Sequence, residues 1–79
     1  MKRLKVCVNT IDRVRDFVVL NNMSDCEVDV RHLHYIVDGK SLLGVFSIPL
    51  TKPLDVEIRG DDVDVLIAQY VEAGLTVEE

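Results

Sequence analysis

The chain has 79 residues and a formal net charge of −5, with 48% hydrophobic and 29% charged residues. A chain of this length builds one small core, which excludes a two-lobed enzyme with an interdomain cleft. The composition is that of a folded domain, and the acidic balance disfavours nucleic acid and anionic membranes as partners. We therefore expect a single domain over residues 1–79.

The cysteine content and the amino terminus predict the cellular compartment. Cys7 and Cys26 are too few for the disulfide framework of a small secreted domain, and they lack the spacing of a zinc site. The first residues alternate apolar and basic side chains, unlike the apolar core of a signal peptide. No segment approaches the roughly 20 apolar residues of a membrane helix. These features predict a cytoplasmic protein.

In the first third of the chain, alternating residues give way to helical spacing. Alternation over residues 3–9 predicts a half-buried strand. Thr10 is a candidate N-cap for a helix that we expect to end near Asn21. The apolar residues of this helix recur at helical spacing: Ile11, Val14, Phe17 and Val18.

The middle of the chain predicts a hairpin and a short helix. Alternation over residues 26–31 predicts a strand, and residues 35–38 are its expected partner, although the turn over 31–34 lacks a typical turn dipeptide. Ser41 is a candidate cap for a short apolar helix from Leu42 to about Leu50, which Pro49 and Pro53 limit.

The last third adds a strand over residues 54–59 and a helix that begins near Val63 and stops at Gly74. The order β-α-β-β-α-β-α predicts an α+β fold in two layers, a four-stranded antiparallel sheet with three helices on one face. We expect the other face of the sheet to carry solvated, cross-strand paired charges: Lys5, Glu27, Arg31, Glu57 and Arg59.

One segment resembles a motif of a known family. It reads Lys40-Ser41-Leu42-Leu43-Gly44-Val45-Phe46-Ser47-Ile48. It is similar to Lys-Ser-Ile-Met-Gly-Val-Met-Ser-Leu, the regulatory-serine motif of typical Gram-positive members of the HPr phosphocarrier family, which serves the bacterial sugar phosphotransferase system. The strand, turn and helix after residue 54 also look like the end of that family's chain. The resemblance implies an HPr-like fold over nearly the whole chain.

The segment before the first helix departs from this family. Its members carry Gly-Leu-His-Ala-Arg-Pro there, and the histidine receives phosphate from Enzyme I. Aligned through the first helix, Thr10 stands in the place of the histidine and Asp12 in that of the arginine. Threonine forms no labile phosphoramidate, and a carboxylate repels an incoming phosphate. We therefore predict that Thr10 and Asp12 mark a degenerate phosphohistidine site.

Ser41 and the residues after it form the candidate site. The resemblance implies phosphorylation of Ser41 by an HPr kinase/phosphorylase, and a phosphate at the head of a helix is electrostatically favourable. The alternative is a plain N-cap serine. Leu42, Leu43 and Phe46 match positions at which the family exposes apolar side chains to its partners, which predicts a partner-binding patch. The alternative for these three is burial in the core.

The remaining chemistry-bearing side chains have weaker support. His32 and His34 are expected at the same sheet edge as Thr10, which allows a relocated phospho-acceptor, whereas solvated loop histidines are the plainer interpretation. A His-x-His metal pair lacks a third ligand here. Cys7 is expected on the solvent side of its strand and Cys26 in the core, and neither has a His-Asp partner pattern for catalysis.

The combined prediction is a non-enzymatic, HPr-like regulatory or protein-interaction module. Its expected partners are proteins, an HPr kinase/phosphorylase or a transcriptional regulator, with no cofactor, metal, nucleic acid or membrane involved. Two alternatives stay open. The chain could be an active phosphocarrier with a relocated acceptor, or an accessory domain that docks on an unrelated protein.

Overall fold

Five strands and three helices account for most of the chain, in a computed structural model that describes residues 1–79. The strands are β1 (Lys2–Cys7), β2 (Glu27–His32), β3 (Tyr35–Asp38), β4 (Leu54–Arg59) and β5 (Thr76–Glu78). The helices are α1 (Ile11–Met23), α2 (Leu42–Phe46) and α3 (Val63–Glu72). The fold is therefore α+β, as the sequence predicts.

The strands form one open sheet in the order β3-β2-β4-β1-β5, and every neighbouring pair is antiparallel. Because β1 and β2 both pair antiparallel with β4, they run parallel to each other and end at the same edge of the sheet. Asp55 marks this edge, since it lies opposite Lys5 on one side and Arg31 on the other.

The prediction of four strands is wrong, because β5 adds a fifth. Val77 lies opposite Val6 on β1, and Leu75 just before the strand is buried. Gly74, with a φ of +88°, turns the chain after α3 so that it returns to the sheet. A three-residue strand has too little alternation to be recognised in the sequence, and β1 supplies the partner that makes it a strand.

Two helix ends differ from expectation. α1 continues past Asn21 to Met23, and α2 ends at Phe46 instead of near Leu50. Pro49 has no amide hydrogen and disfavours helical backbone at the residue before it, so the short helix stops early. The hairpin turn is also tighter than expected, since only Leu33 and His34 separate β2 from β3.

The helices cover one face of the sheet and enclose the core. In the core, the rings of Phe17 on α1 and Tyr70 on α3 lie 5.3 Å apart between centroids. Such tilted aromatic pairs contribute about 0.5–1.5 kcal/mol beyond the area that they bury. The strands contribute the inward members of each alternation: Leu4, Val6, Val28, Val30, Leu54, Val56 and Ile58.

The opposite face carries the expected charge ladder, with one correction. Glu57 is only 5% exposed rather than solvated. Arg31 donates to its carboxylate through Nη2 at 3.0 Å, and Arg3 and Arg59 lie within 3.8 Å and 3.5 Å of it. Hydrogen bonds from Arg59 to Asp29 and Glu27 raise the pKa of Arg59 above its already high ordinary value.

Candidate functional site

Ser41 caps α2, as the sequence predicts. Its hydroxyl oxygen accepts a hydrogen bond from the Gly44 amide at 3.1 Å, and its backbone amide donates to the Asp38 carbonyl at 3.0 Å. The Ser41 side chain is half-buried. Gly44 faces β3 closely, since a Cβ added there would lie 3.4 Å from the Val37 Cβ. The helix that follows Ser41 is thus held against the strand that precedes it.

The segment before Ser41 is tied to the end of α1. The Asn21 side-chain amide donates to the Gly39 carbonyl at 2.8 Å, and the Asn22 amide donates to the Lys40 carbonyl at 2.9 Å. In return, the Lys40 ammonium donates to the Ser24 carbonyl at 3.1 Å. Sequence reasoning missed this clamp, because it interpreted the two asparagines only as a helix end.

Three apolar side chains of α2 are exposed, and we call Leu42, Leu43 and Phe46 the α2 patch. Leu43 is 84% exposed, and Leu42 and Phe46 are each 39% exposed, whereas Val45 on the same helix is buried. A helix of five residues that packs one side chain into the core leaves its other apolar residues in water. The alternative of burial in the core therefore does not hold for the α2 patch.

Thr10 and Asp12, which the resemblance predicts to mark a degenerate phosphohistidine site, lie at the amino end of α1. The Thr10 hydroxyl accepts from the Arg13 amide at 3.2 Å, which makes it an N-cap. Asp12 is exposed in the first turn of the helix. A cationic residue, Arg13, follows Asp12 directly in the sequence. Its guanidinium donates to the Asn9 side-chain oxygen at 3.0 Å.

The two histidines lie at the sheet edge at which β1 and β2 both end, which is also the edge of Thr10. His34 is exposed in the hairpin turn, and His32 is half-buried at the end of β2. His32 also lines an open groove of about 410 Å³ between the hairpin and the carboxyl end of α2, with Tyr35 and Pro49. The edge therefore holds both imidazoles, the Thr10 cap and an adjoining groove.

The cysteines are separate from the candidate site. Cys26 is buried, as expected, although it precedes β2 instead of opening it. Cys7 is half-buried opposite Thr76 of β5, and both thiols are free. No group of three or more His, Cys, Asp or Glu side chains is arranged to hold a metal ion. None of the helices has the length and apolar character to cross a membrane.

A scan against models of known protein families finds no match, and no curated protein matches the chain.

Proposed function

We propose that this chain is an HPr-like protein-interaction module that docks through the α2 patch and does not carry phosphate on the usual histidine. Its first seven elements follow the order β-α-β-β-α-β-α that the resemblance implies, and β5 is an addition. The proposed partner is an HPr kinase/phosphorylase, because the motif that carries the resemblance is the segment such an enzyme modifies.

The exposure of the α2 patch is the observation that carries this proposal. Leu43 exposes 84% of its surface, next to the partly exposed Leu42 and Phe46. Removing apolar surface from water stabilises a complex by roughly 25 cal/mol per Å² before the costs of association. Leu42 and Phe46 are four residues apart on a helix, so they lie on one face and can enter one groove of a partner.

Ser41 provides a switch for this docking surface. Phosphoryl transfer would form a bond between the Ser41 oxygen and the γ-phosphorus of ATP, release ADP and lose the hydroxyl proton to a base of the kinase. The new group carries a charge of about −2 and three strong acceptor oxygens. Placed directly before Leu42, it would add charge beside apolar side chains and favour a different set of partners.

The amino end of α1 supports the loss of phosphocarrier activity. The Thr10 hydroxyl is already engaged as a cap, and no imidazole precedes the helix. The exposed Asp12 carboxylate adds negative charge where an incoming phosphoryl group would have to bind. An acceptor on this chain would therefore have to be His32 or His34 at the neighbouring hairpin.

A kinase assay tests the switch. Purified HPr kinase/phosphorylase and ATP should add one phosphoryl group to the wild type and to Ser47→Ala, and none to Ser41→Ala. Ser47 is a matched control, because it lies at the other end of α2 and its hydroxyl also binds Gly44, here the carbonyl at 2.6 Å. An unmodified wild type beside an authentic HPr that is labelled in parallel would contradict the proposal.

A binding assay tests the docking surface separately. Leu43→Ser should weaken binding of the kinase at least about tenfold, whereas Val71→Ser should leave it unchanged. Val71 is an exposed apolar residue of α3, so it controls for the loss of surface hydrophobicity. Equal affinities of the two variants would contradict docking through the α2 patch.

Incubation with Enzyme I and phosphoenolpyruvate tests the absence of phosphocarrier activity. We expect no acid-labile label on the wild type. A label that disappears in His32→Gln or His34→Gln would instead establish the relocated acceptor, and the proposal would be wrong on this point.

A further inference from the structure

We propose that β3 pairs antiparallel with β3 of a second copy of this chain, which joins the two sheets edge to edge. The pairing places Ile36 opposite Ile36 of the second copy, on the twofold axis. This inference goes beyond the proposed function, because it uses neither the α2 patch nor Ser41.

The backbone of β3 is free to accept another strand. β3 is an edge strand, whose only neighbour is β2. The Gly39 amide donates to the Val28 carbonyl at 2.7 Å, so in this antiparallel ladder alternate residues (35, 37 and 39) direct their backbone groups to β2. Ile36 and Asp38 therefore direct theirs away from β2. The Asp38 carbonyl already accepts from the Ser41 amide at 3.0 Å, whereas the amides of Ile36 and Asp38 are available to a partner.

The side chains of this edge are apolar and exposed. Tyr35 is 68% exposed and Ile36 is 56% exposed, and Leu33 at the hairpin tip is exposed as well. Edge strands of proteins that stay single are usually protected by lysine, proline, a bulge or a very short length. β3 contains neither lysine nor proline, and its four residues pair with β2 in unbroken register.

The opposite edge of the same sheet is protected. β5 has three residues and ends in Glu78, next to Glu79. Very short length and charged side chains are two of the devices that keep the edge of a sheet from pairing. The contrast between the two edges directs strand pairing to β3.

The polar side chains at the two ends of β3 favour a second copy as the occupant and fix the register. With Ile36 on the axis, Tyr35 lies opposite Val37 of the second copy, and His34 lies next to Asp38 of the second copy. Neither His34 nor Asp38 forms an ion pair within its own chain. The Asp38 carboxylate accepts one hydrogen bond within its chain, from the Lys40 backbone amide at 2.9 Å, and an imidazole N–H of His34 of the second copy can donate to its remaining acceptor positions. A shift of two residues would place Asp38 opposite Ile36 and lose this complementarity.

Sedimentation velocity tests the dimer. The wild type should show a concentration-dependent equilibrium between monomer and dimer at concentrations up to about 1 mM. Ile36→Lys should weaken the dimer at least about tenfold, because two ammonium groups would meet on the axis. Val71→Lys is the control. It makes the same change at an equally exposed residue of α3, which packs near β5, and should leave the equilibrium unchanged.

Charge substitutions at residue 34 test the register. His34→Asp should weaken the dimer, because it faces Asp38 of the second copy, and His34→Lys should preserve or strengthen it. His34 is an exposed turn residue, so neither change places a charge in the core. Circular dichroism of each variant confirms that the fold is retained.

Crosslinking provides an independent test. In a hydrogen-bonded antiparallel pair the Cα atoms lie about 5.5 Å apart, within the range of a disulfide. In a Cys7→Ser background, Ile36→Cys should therefore form a symmetric disulfide under mild oxidation much faster than Val71→Cys. A monomeric wild type at the highest concentration, or a dimer unaffected by Ile36→Lys, would overturn the proposal. Equal dimerisation of His34→Asp and His34→Lys would overturn the register.

Discussion

Tyr70 donates its hydroxyl to the side-chain oxygen of Asn21, and both side chains are fully buried. The side-chain amide of Asn21 in turn donates a hydrogen bond to the Gly39 carbonyl. Three parts of the chain thereby meet in one buried polar contact: α3, α1 and the segment that leads to Ser41. The arrangement leaves no buried side-chain nitrogen or oxygen without a partner. The position of Ser41 thus depends on residues far from it in the sequence.

Asn21→Ala should lower the free energy of unfolding by about 2–4 kcal/mol, because it leaves the buried Tyr70 hydroxyl and Gly39 carbonyl without a hydrogen-bond partner and creates a cavity. Tyr70→Phe keeps the ring and should cost about 1–2 kcal/mol. Urea unfolding of both single variants and the double variant measures the coupling. Strictly additive losses would contradict a direct Asn21–Tyr70 contact.

The stability should fall at alkaline pH because of Tyr70. Burial raises the pKa of Tyr70 well above its ordinary value near 10. Above about pH 10 the unfolded chain loses the phenolic proton of Tyr70, whereas the folded chain retains it. The free energy of unfolding therefore falls as the pH rises. The slope for one proton is about 1.4 kcal/mol per pH unit.

Tyr70→Phe isolates this effect from other groups that titrate in the same range. The stability difference between wild type and Tyr70→Phe should be constant below pH 9 and shrink above about pH 10. Urea titrations at several pH values measure it. A difference that stays constant to the pH of alkaline unfolding would show that Tyr70 does not titrate as its burial requires.

Gly39→Ala should destabilise the fold by about 1–3 kcal/mol through overpacking. A Cβ at this position would lie 2.6 Å from Cγ1 of Val28 and 3.0 Å from the Val28 carbonyl oxygen. Adding Val28→Ala removes the first clash, so the double variant should lose less stability than the sum of the two single changes. Thermal unfolding of the four proteins checks this.

Leu33→Asn should stabilise the hairpin by about 0.5–1 kcal/mol. Leu33 has a φ of +54° in the two-residue turn, a region that leucine adopts at a cost and asparagine tolerates. Its side chain is almost wholly exposed, so the change removes little packing. A loss of stability in urea unfolding would show that Leu33 contributes a contact that its exposure does not suggest.

Local features of the molecule could be predicted because their causes are local. Thr10 and Ser41 cap the helices that follow them, since each side chain reaches an amide three residues ahead. The alternation within β1, β2 and β4 reflects the two faces of a strand, and the spacing within α1 and α3 reflects the helical turn. The positions of the α2 patch came from the family resemblance, because the local pattern left burial in the core open.

What the sequence by itself determined is the kind and order of seven elements, their inward faces and their caps. The tertiary structure decided which surfaces remained open. Glu57 is buried because arginines from two other strands converge on it, and β5 exists because β1 offers a free edge. Asn21 meets Tyr70 across 49 residues of sequence. Each of these three features depends on contacts between residues that are distant in the sequence. The order of the strands in the sheet likewise places β3 at an edge.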